Sequence, residues 1–332
     1  MKRVVSASLL AVLLLGSSGL GQTSDRVATP RLSRERGFYD ASFDVAITCE
    51  TPEATIRYTL DGSEPDGASG ASPAGGIYTA PLRITGTTCL RAQATREGRP
   101  PSEVVTHTYV FLHDVIARTQ KQVLAQGYPD TWYGGLPADY EMDPEICFRP
   151  AYANLMQDAL LSIPTVVTSR DALFGHSRDA EAGGIYIYTG HPGTGGIGWE
   201  RPISFELFTA DGSKGLQVHC GLRIQGDESR DPLKCPKHSF ELRFDSGYGP
   251  DRLDHPLFDG SPVESFDSLR LRGFYKDSWL HWAVDQRRRA VYMRDRWMRD
   301  SLLEMAQADA GRGLYVHLYL NGIYWGLYNL GE

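Results

Sequence analysis

Residues 221–244, GLRIQGDESRDPLKCPKHSFELRF, constrain the fold most, because two alternating segments flank a loop dense in Arg, Lys, Gly and Ser. Side chains of an extended strand alternate between faces. Leading into the loop, Val218, Cys220, Leu222 and Ile224 therefore share one face, and Gln217, His219, Arg223 and Gln225 the other. After it, Phe240, Leu242 and Phe244 are apolar, while Lys237, Glu241 and Arg243 fall on the polar side. Pairing of the two strands would gather Arg223, Lys237 and Arg243 on one face, with Arg230 and Lys234 on the connecting loop. Such a cationic, glycine-bearing hairpin suits an anionic ligand such as phosphate. By spacing alone, the commoner reading is the solvated face of an ordinary antiparallel sheet.

The amino terminus predicts the compartment. Lys2 and Arg3 precede an apolar run over 4–15, followed by Gly16, Ser17, Ser18, Gly19 and Gly21. That order of charge, apolar run and small residues is a secretory signal peptide over 1–22. The run is too short to span a bilayer, and nothing later is long and apolar enough. The expectation is an exported protein, secreted or at the cell surface or periplasmic, with no membrane span. A net charge of −7 over 332 residues argues against a general nucleic-acid binder, which would carry a basic domain.

The five cysteines (Cys49, Cys89, Cys147, Cys220, Cys235) are an odd number for an exported chain. At most two disulfides can form, Cys49 with Cys89 and Cys220 with Cys235 being the first pairs to test. No Cys/His spacing suggests zinc.

Residues 23–36 read as a disordered linker. From Gly37 onward FDVAITCE, ATIRYTL, TTCLRAQAT and VVTHTYVF are strand-like, separated by turn clusters such as DGSEPDGASGASPAGG and EGRPPS. They predict an Ig-like antiparallel β-sandwich over 37–112. The acidic DGSEP turn could hold calcium, but Asp and Gly are what a plain tight turn needs. The module resembles the C-terminal β-sandwich of chitobiase and β-hexosaminidase enzymes through RGFYDASFDVAITCETPEATIRYTLDGSEP, IYTAPLRITGTTCLRAQAT and THTYVF. That resemblance implies an accessory, glycan- or surface-associated part with no active site.

A helical connector is expected over 113–160, with one helix in HDVIARTQKQVLAQ and a second in RPAYANLMQDALLSI. IPTVVTS then reads as a central strand that opens the next domain, which continues through GGIYIYT and ISFELFT. FDSLRLRGF places Leu269 and Leu271 on one face and Arg270 and Arg272 on the other. A helix over about 290–306 sets Val291, Met298, Leu302 and Met305 on one stripe expected to be buried, flanked by Arg294 and Asp295. Those two read first as a partly buried structural ion pair. The run Arg287, Arg288, Arg289 reads as a solvated loop. Asn321-Gly322 between aromatic-rich segments predicts a type I′ hairpin. A terminal hairpin with no covering layer reads as the edge of a fragment.

The same segments, in order, resemble the CotH family of spore-coat-type, atypical kinase-like proteins: IPTVVTS, GGIYIY, WERPISFELF, GLRIQGDESR, PKHSFELRF, YGPDRLDHPLF, LRLRGFYKDSW, YMRDRWMRD and YLNGIYWGLYNLGE. The resemblance covers about 161–332. It implies an α+β domain with a mixed sheet, like the first lobe of a kinase-like fold, that binds ATP. It also implies γ-phosphate transfer to a protein hydroxyl with a divalent metal ion (Mg or Mn), a reaction that chiefly needs positioning and charge neutralisation.

On this resemblance Lys237, Arg230 and Arg223 are the candidate phosphate ligands, and Arg294 and Asp295 order the basic group. The family's catalytic acids fall after the hairpin, so this chain reads as the nucleotide-clasping half, with no phosphotransfer expected from it alone. The alternative is a non-catalytic surface or matrix assembly protein, or a glycan-associated one, on the same scaffold. The glycine-rich GHPGTGGIG at 190–198 lacks the ending of a phosphate loop. No GxSxG or HExxH motif occurs, and no carboxylate pair stands out for glycoside hydrolysis.

Overall fold

A computed structural model describes residues 26–66, 75–132, 135–152, 156, 163–188, 199–209, 215–307 and 310–332. The signal-peptide residues, most of the second connector helix and the 190–198 loop lie outside them.

The first module is built from β1 (Arg31–Leu32), β2 (Gly37–Phe38), β3 (Phe43–Val45), β4 (Ile47–Thr48), β5 (Thr55–Thr59), β6 (Gly75–Ile77), β7 (Leu82–Ile84), β8 (Thr88–Thr95) and β9 (Val105–Val110). A five-stranded sheet, β2-β9-β8-β5-β6, is accompanied by the pairs β3-β7 and β1-β4. Alternate residues Val45, Ile47, Ile84, Leu90, Ala92, Ala94 and Tyr109 fill one core between them, as a sandwich requires. Residues 26–36 are not a free linker. Val27 is buried, and Arg31 and Leu32 pair with Thr48 and Ile47, because the apolar Val27 and Leu32 complete that core. The DGSEP turn is closed by its own Asp61, whose Oδ1 accepts from Ser63 N (3.1 Å) and Oγ (2.5 Å). Among the described residues no cluster of metal ligands occurs.

The connector breaks the expected first helix in two, α1 (Leu112–Ala117) and α2 (Gln120–Ala125), because Thr119 and Gln122 form a capping box that starts a new helix. A short α3 (Pro144–Cys147) follows.

The second module holds β10 (Ile163–Val167), α4 (Arg170–Phe174), α5 (Ile185–Tyr188), β11 (Arg201–Phe208), β12 (Gly215–Gln225), β13 (Ser239–Arg243), β14 (Leu253–Asp254), β15 (Ser265–Phe266), β16 (Ser268–Arg272), α6 (Val284–Arg289), α7 (Arg294–Glu304), β17 (Gly313–Leu320) and β18 (Ile323–Gly331). Seven strands close into a barrel in the order β10-β11-β12-β13-β16-β18-β17. All neighbours are antiparallel except β10 with β17, which run parallel. The sheet is therefore mixed, as expected, but the α+β expectation gives way to a mostly β unit with short helices. IYIY within GGIYIYT forms the helix α5, with Ile185, Tyr186 and Ile187 all buried.

The predicted alternation holds: Val218, Cys220, Leu222 and Ile224 meet Phe240, Leu242, Leu269 and Leu271 inside the barrel. Asn321 (φ 48°) and Gly322 (φ 74°) make the two-residue turn of the β17–β18 hairpin, the left-handed pair that a type I′ turn needs. All five cysteines are free thiols. Cys220 points into the barrel core while Cys235 Sγ turns to the Lys237 carbonyl. Cys49 Sγ turns to Ala28 O and Cys89 Sγ sits 3.5 Å from Thr108 Oγ1. Neither expected pair is joined.

The modules meet through a polar junction. Glu206, fully buried on β11, accepts from Thr108 N (3.1 Å), Thr108 Oγ1 (2.5 Å) and Thr165 Oγ1 (2.9 Å). Arg36 Nη1 stands 3.4 Å from the same carboxylate and donates to Leu216 O. Gln217 completes the junction, accepting from Thr106 N and donating to Val104 O.

Candidate functional site: the arginine wall

Three neighbouring barrel strands turn their polar residues outward. Register aligns Arg223 with Glu241 and Glu241 with Arg270 in one row. Arg243 lies on the same face beside Gly221, and Arg272 pairs with Asn329 of β18. The Arg223 Nε and Nη2 atoms donate to Glu241 Oε2 at 2.7 and 2.6 Å, a charge-assisted fork. Arg270 is exposed and has no ion-pair partner among the described residues, so one acid stands between two guanidinium groups. Arg243 Nη1 reaches the buried Glu200 at 3.2 Å. A Cβ at Gly221 would lie 2.4 Å from Glu200 Oε1, so a larger residue there would have to push the Glu200 carboxylate aside.

The loop after β12 adds a further cation. Gly226 has φ +123°, and a Cβ there would meet Ser229 Oγ at 2.0 Å. This allows the chain to fold back into a 3₁₀ turn over Glu228–Arg230. Ser229 O lies 3.2 Å from His238 Nδ1, and Lys234 pairs with Glu228 at 3.1 Å, which fixes the turn. Arg230 Nε is buried without a hydrogen-bond partner. Burial first, and the charge of Arg223 second, press its pKa down. The half-buried Arg230 guanidinium, with no partner at Nε, is the group here with donor capacity left for an oxyanion.

Lys237 does not join them. β13 begins only at Ser239, and the preceding loop turns Lys237 toward the aromatic end of the barrel. Its Nζ lies 3.7 Å from the Trp325 ring centroid and 5.5 Å from that of Trp132, a cation–π contact. It donates to the Asp139 carbonyl at 3.2 Å. Burial among these rings lowers its pKa to about 8, Asp139 offsetting part of the effect. Behind it His238 is fully buried and pushed down to about 4, chiefly by desolvation.

Arg294 and Asp295 are not paired with each other. Asp277 accepts from Val291 N (2.9 Å) and Arg294 N (3.0 Å), capping α7, and Arg294 Nε stands 3.6 Å from it. Asp295 faces the wall, 3.3 Å from Arg272 and 3.1 Å from Arg299. The structure thus brings Arg223, Arg230 and Asp295 to the wall's side, and sets Lys237 and Arg294 apart from it.

The stripe expected to be buried is reversed. Val291, Met298, Leu302 and Met305 are exposed, and Arg296 is the buried residue of α7. The sheet face beneath the helix is charged, so ion pairs rather than apolar contacts hold it. Sequence reasoning passed over Arg270 as a site residue. Its alternation was legible in SLRLR, but the pairing of β16 with β13 was not.

The comparisons agree with this division. The Chitobiase/beta-hexosaminidase C-terminal domain family matches residues 35–106. The CotH kinase protein family matches residues 222–332, a span that takes in Arg223, Arg230, Lys237, Arg270, Arg294 and Asp295. No curated protein and no solved structure matches the chain. The polypeptide is therefore similar to the CotH kinase protein family over 222–332, behind a stretch similar to the chitobiase/β-hexosaminidase C-terminal domain.

Proposed function

We propose that the chain is an exported CotH-like protein whose arginine wall grips the phosphates of a nucleotide, as the nucleotide-clasping part of a protein kinase-like reaction on protein hydroxyls. The observation that carries this reading is the buried, unpartnered Nε of Arg230 within the family match, next to a row in which Glu241 is the one acid between Arg223 and Arg270. Loosely bound phosphoryl charge is spread over several oxygens, and forked guanidinium donors meet it at more than one point.

Export rests on the charged, then apolar, then small-residue order at the amino terminus. No helix among the described residues is long and apolar enough to cross a membrane. The donor set suits ATP phosphates. For the divalent ion the fit is poor, since no three His, Cys, Asp or Glu side chains converge among the described residues. Guanidinium groups are then what this chain offers to phosphate charge. Arg223 and Arg230 would orient the nucleotide, while Asp295 holds Arg272 at the rim.

Equilibrium titration of the purified chain with ATP, repeated at rising salt, tests the reading. Binding that weakens steadily with salt is expected of exposed charge contacts. Absence of binding at low salt would remove nucleotide recognition from this domain.

A further inference from the structure

We propose that the outward face of α6, α7 and the turn before them docks on an anionic lipid bilayer surface, an interaction independent of nucleotide binding. Taking 100° per residue, Met293, Trp297, Met305, Met298 and Leu302 sweep about half of the α7 circumference, and all five are exposed. The helix cannot roll this face inward without breaking its anchors. Asp295 is held by Arg272 of β16, Arg299 Nη1 donates to Ala310 O at 2.7 Å, and the buried Arg296 Nη2 donates to Gly311 O at 3.3 Å.

Trp279 belongs to the same surface, because its Nε1 donates to Ala290 O at 3.1 Å and its ring lies 5.0 Å from that of Tyr292. Trp279, Trp282 and Trp297 are 66, 59 and 70% exposed, unusual for the largest apolar side chain. An apolar face of this extent marks an interaction surface.

The charges on this surface select the partner. Arg287, Arg288 and Arg289 are exposed on α6 and have no ion pair among the described residues. The exposed acids of the same helices are Asp285, Glu304 and Asp300, the last already paired with Arg296. A cationic run on a chain of net charge −7 is a local attraction for a negative surface. Indole rings settle at the headgroup level while arginine stems lie along apolar surface and keep their charge in water. Three adjacent guanidinium groups in a protein interface would need acids at matching positions. A bilayer brings anionic headgroups to whatever spacing they have.

Sedimentation of the full chain with phosphatidylglycerol-containing and with pure phosphatidylcholine vesicles tests this. Expected are partitioning onto the anionic vesicles and a blue shift of tryptophan emission. The joint change Arg287→Gln, Arg288→Gln, Arg289→Gln should lower partitioning roughly a hundredfold, and Trp297→Gln should lower it with an unchanged melting temperature. No partitioning onto anionic vesicles, or equal binding to both kinds, would overturn the proposal. So would a vesicle-inert dimer that Trp297→Gln converts to monomer, since the face would then join two copies of this chain.

Discussion

The barrel wall meets its two neighbours by opposite means. Toward the sandwich, the fully buried Glu206 is surrounded by donors from Thr108, Thr165 and Arg36. Toward α7, the ionic contact is the half-exposed pair of Asp295 with Arg272, and the helix keeps its apolar residues outside. A buried charge with every donor satisfied ties two units to one geometry, because each lost partner leaves an uncompensated group. Half-exposed pairs are each worth little. The sandwich is thus a fixed buttress, and α7 a loosely held edge beside the arginine wall.

Acidification should attack both sides and gives the largest effect. His107, on β9 at the sandwich side, and His238, behind Arg230, are both pushed from 6.5 to about 4 by burial. The unfolded chain binds those protons first, so stability is present above pH 6.5 and is lost as pH falls toward 4, roughly 1.4 kcal/mol per pH unit for each histidine. Glu206, whose pKa burial raises, works in the opposite sense and blunts the loss at its acid end. Denaturant unfolding across that window, with His107→Asn and His238→Asn in turn, should show the slope halved by each. An unchanged slope would mean the histidines are not buried as described.

Next in size, Glu206→Ala strands Arg36 and the donors of Thr108 and Thr165, and should cost about 3–5 kcal/mol. If the sandwich is a buttress, it should also split one unfolding transition into two in calorimetry. Asp277→Ala removes the cap on α7 and should cost about 1–2 kcal/mol, with amide exchange quickening at residues 291–297 while the barrel strands stay protected. Smallest is Asp295→Ala, expected below about 1 kcal/mol and weaker still at high salt. A loss as large as that of Glu206→Ala would erase the contrast between the two sides.

Much of this was legible in the sequence where period and burial coincide. The alternation of Leu222 and Ile224 against Arg223, and of Leu269 and Leu271 against Arg270, reads off directly, as does the Asn321-Gly322 turn. Partners over long separation were not legible. Nothing local says that β16 lies beside β13, or that Glu241 is the acid between Arg223 and Arg270. Lys237 was misplaced because the period was extended two residues past the strand, into a loop that turns the ammonium onto Trp325. The α7 stripe was misjudged because amphipathicity tells which residues cluster, not which side faces the protein, and here the ground beneath the helix is charged.

The most direct measurement is a paired calorimetric titration of ATP into Arg230→Ala combined with Arg270→Ala, and into Lys237→Ala, each checked for native folding. The arginine wall predicts that the double arginine variant loses at least about tenfold in affinity while Lys237→Ala stays near the unaltered chain. The reverse pattern, affinity lost with Lys237 and kept without the two arginines, would contradict it and move the site to the aromatic end of the barrel.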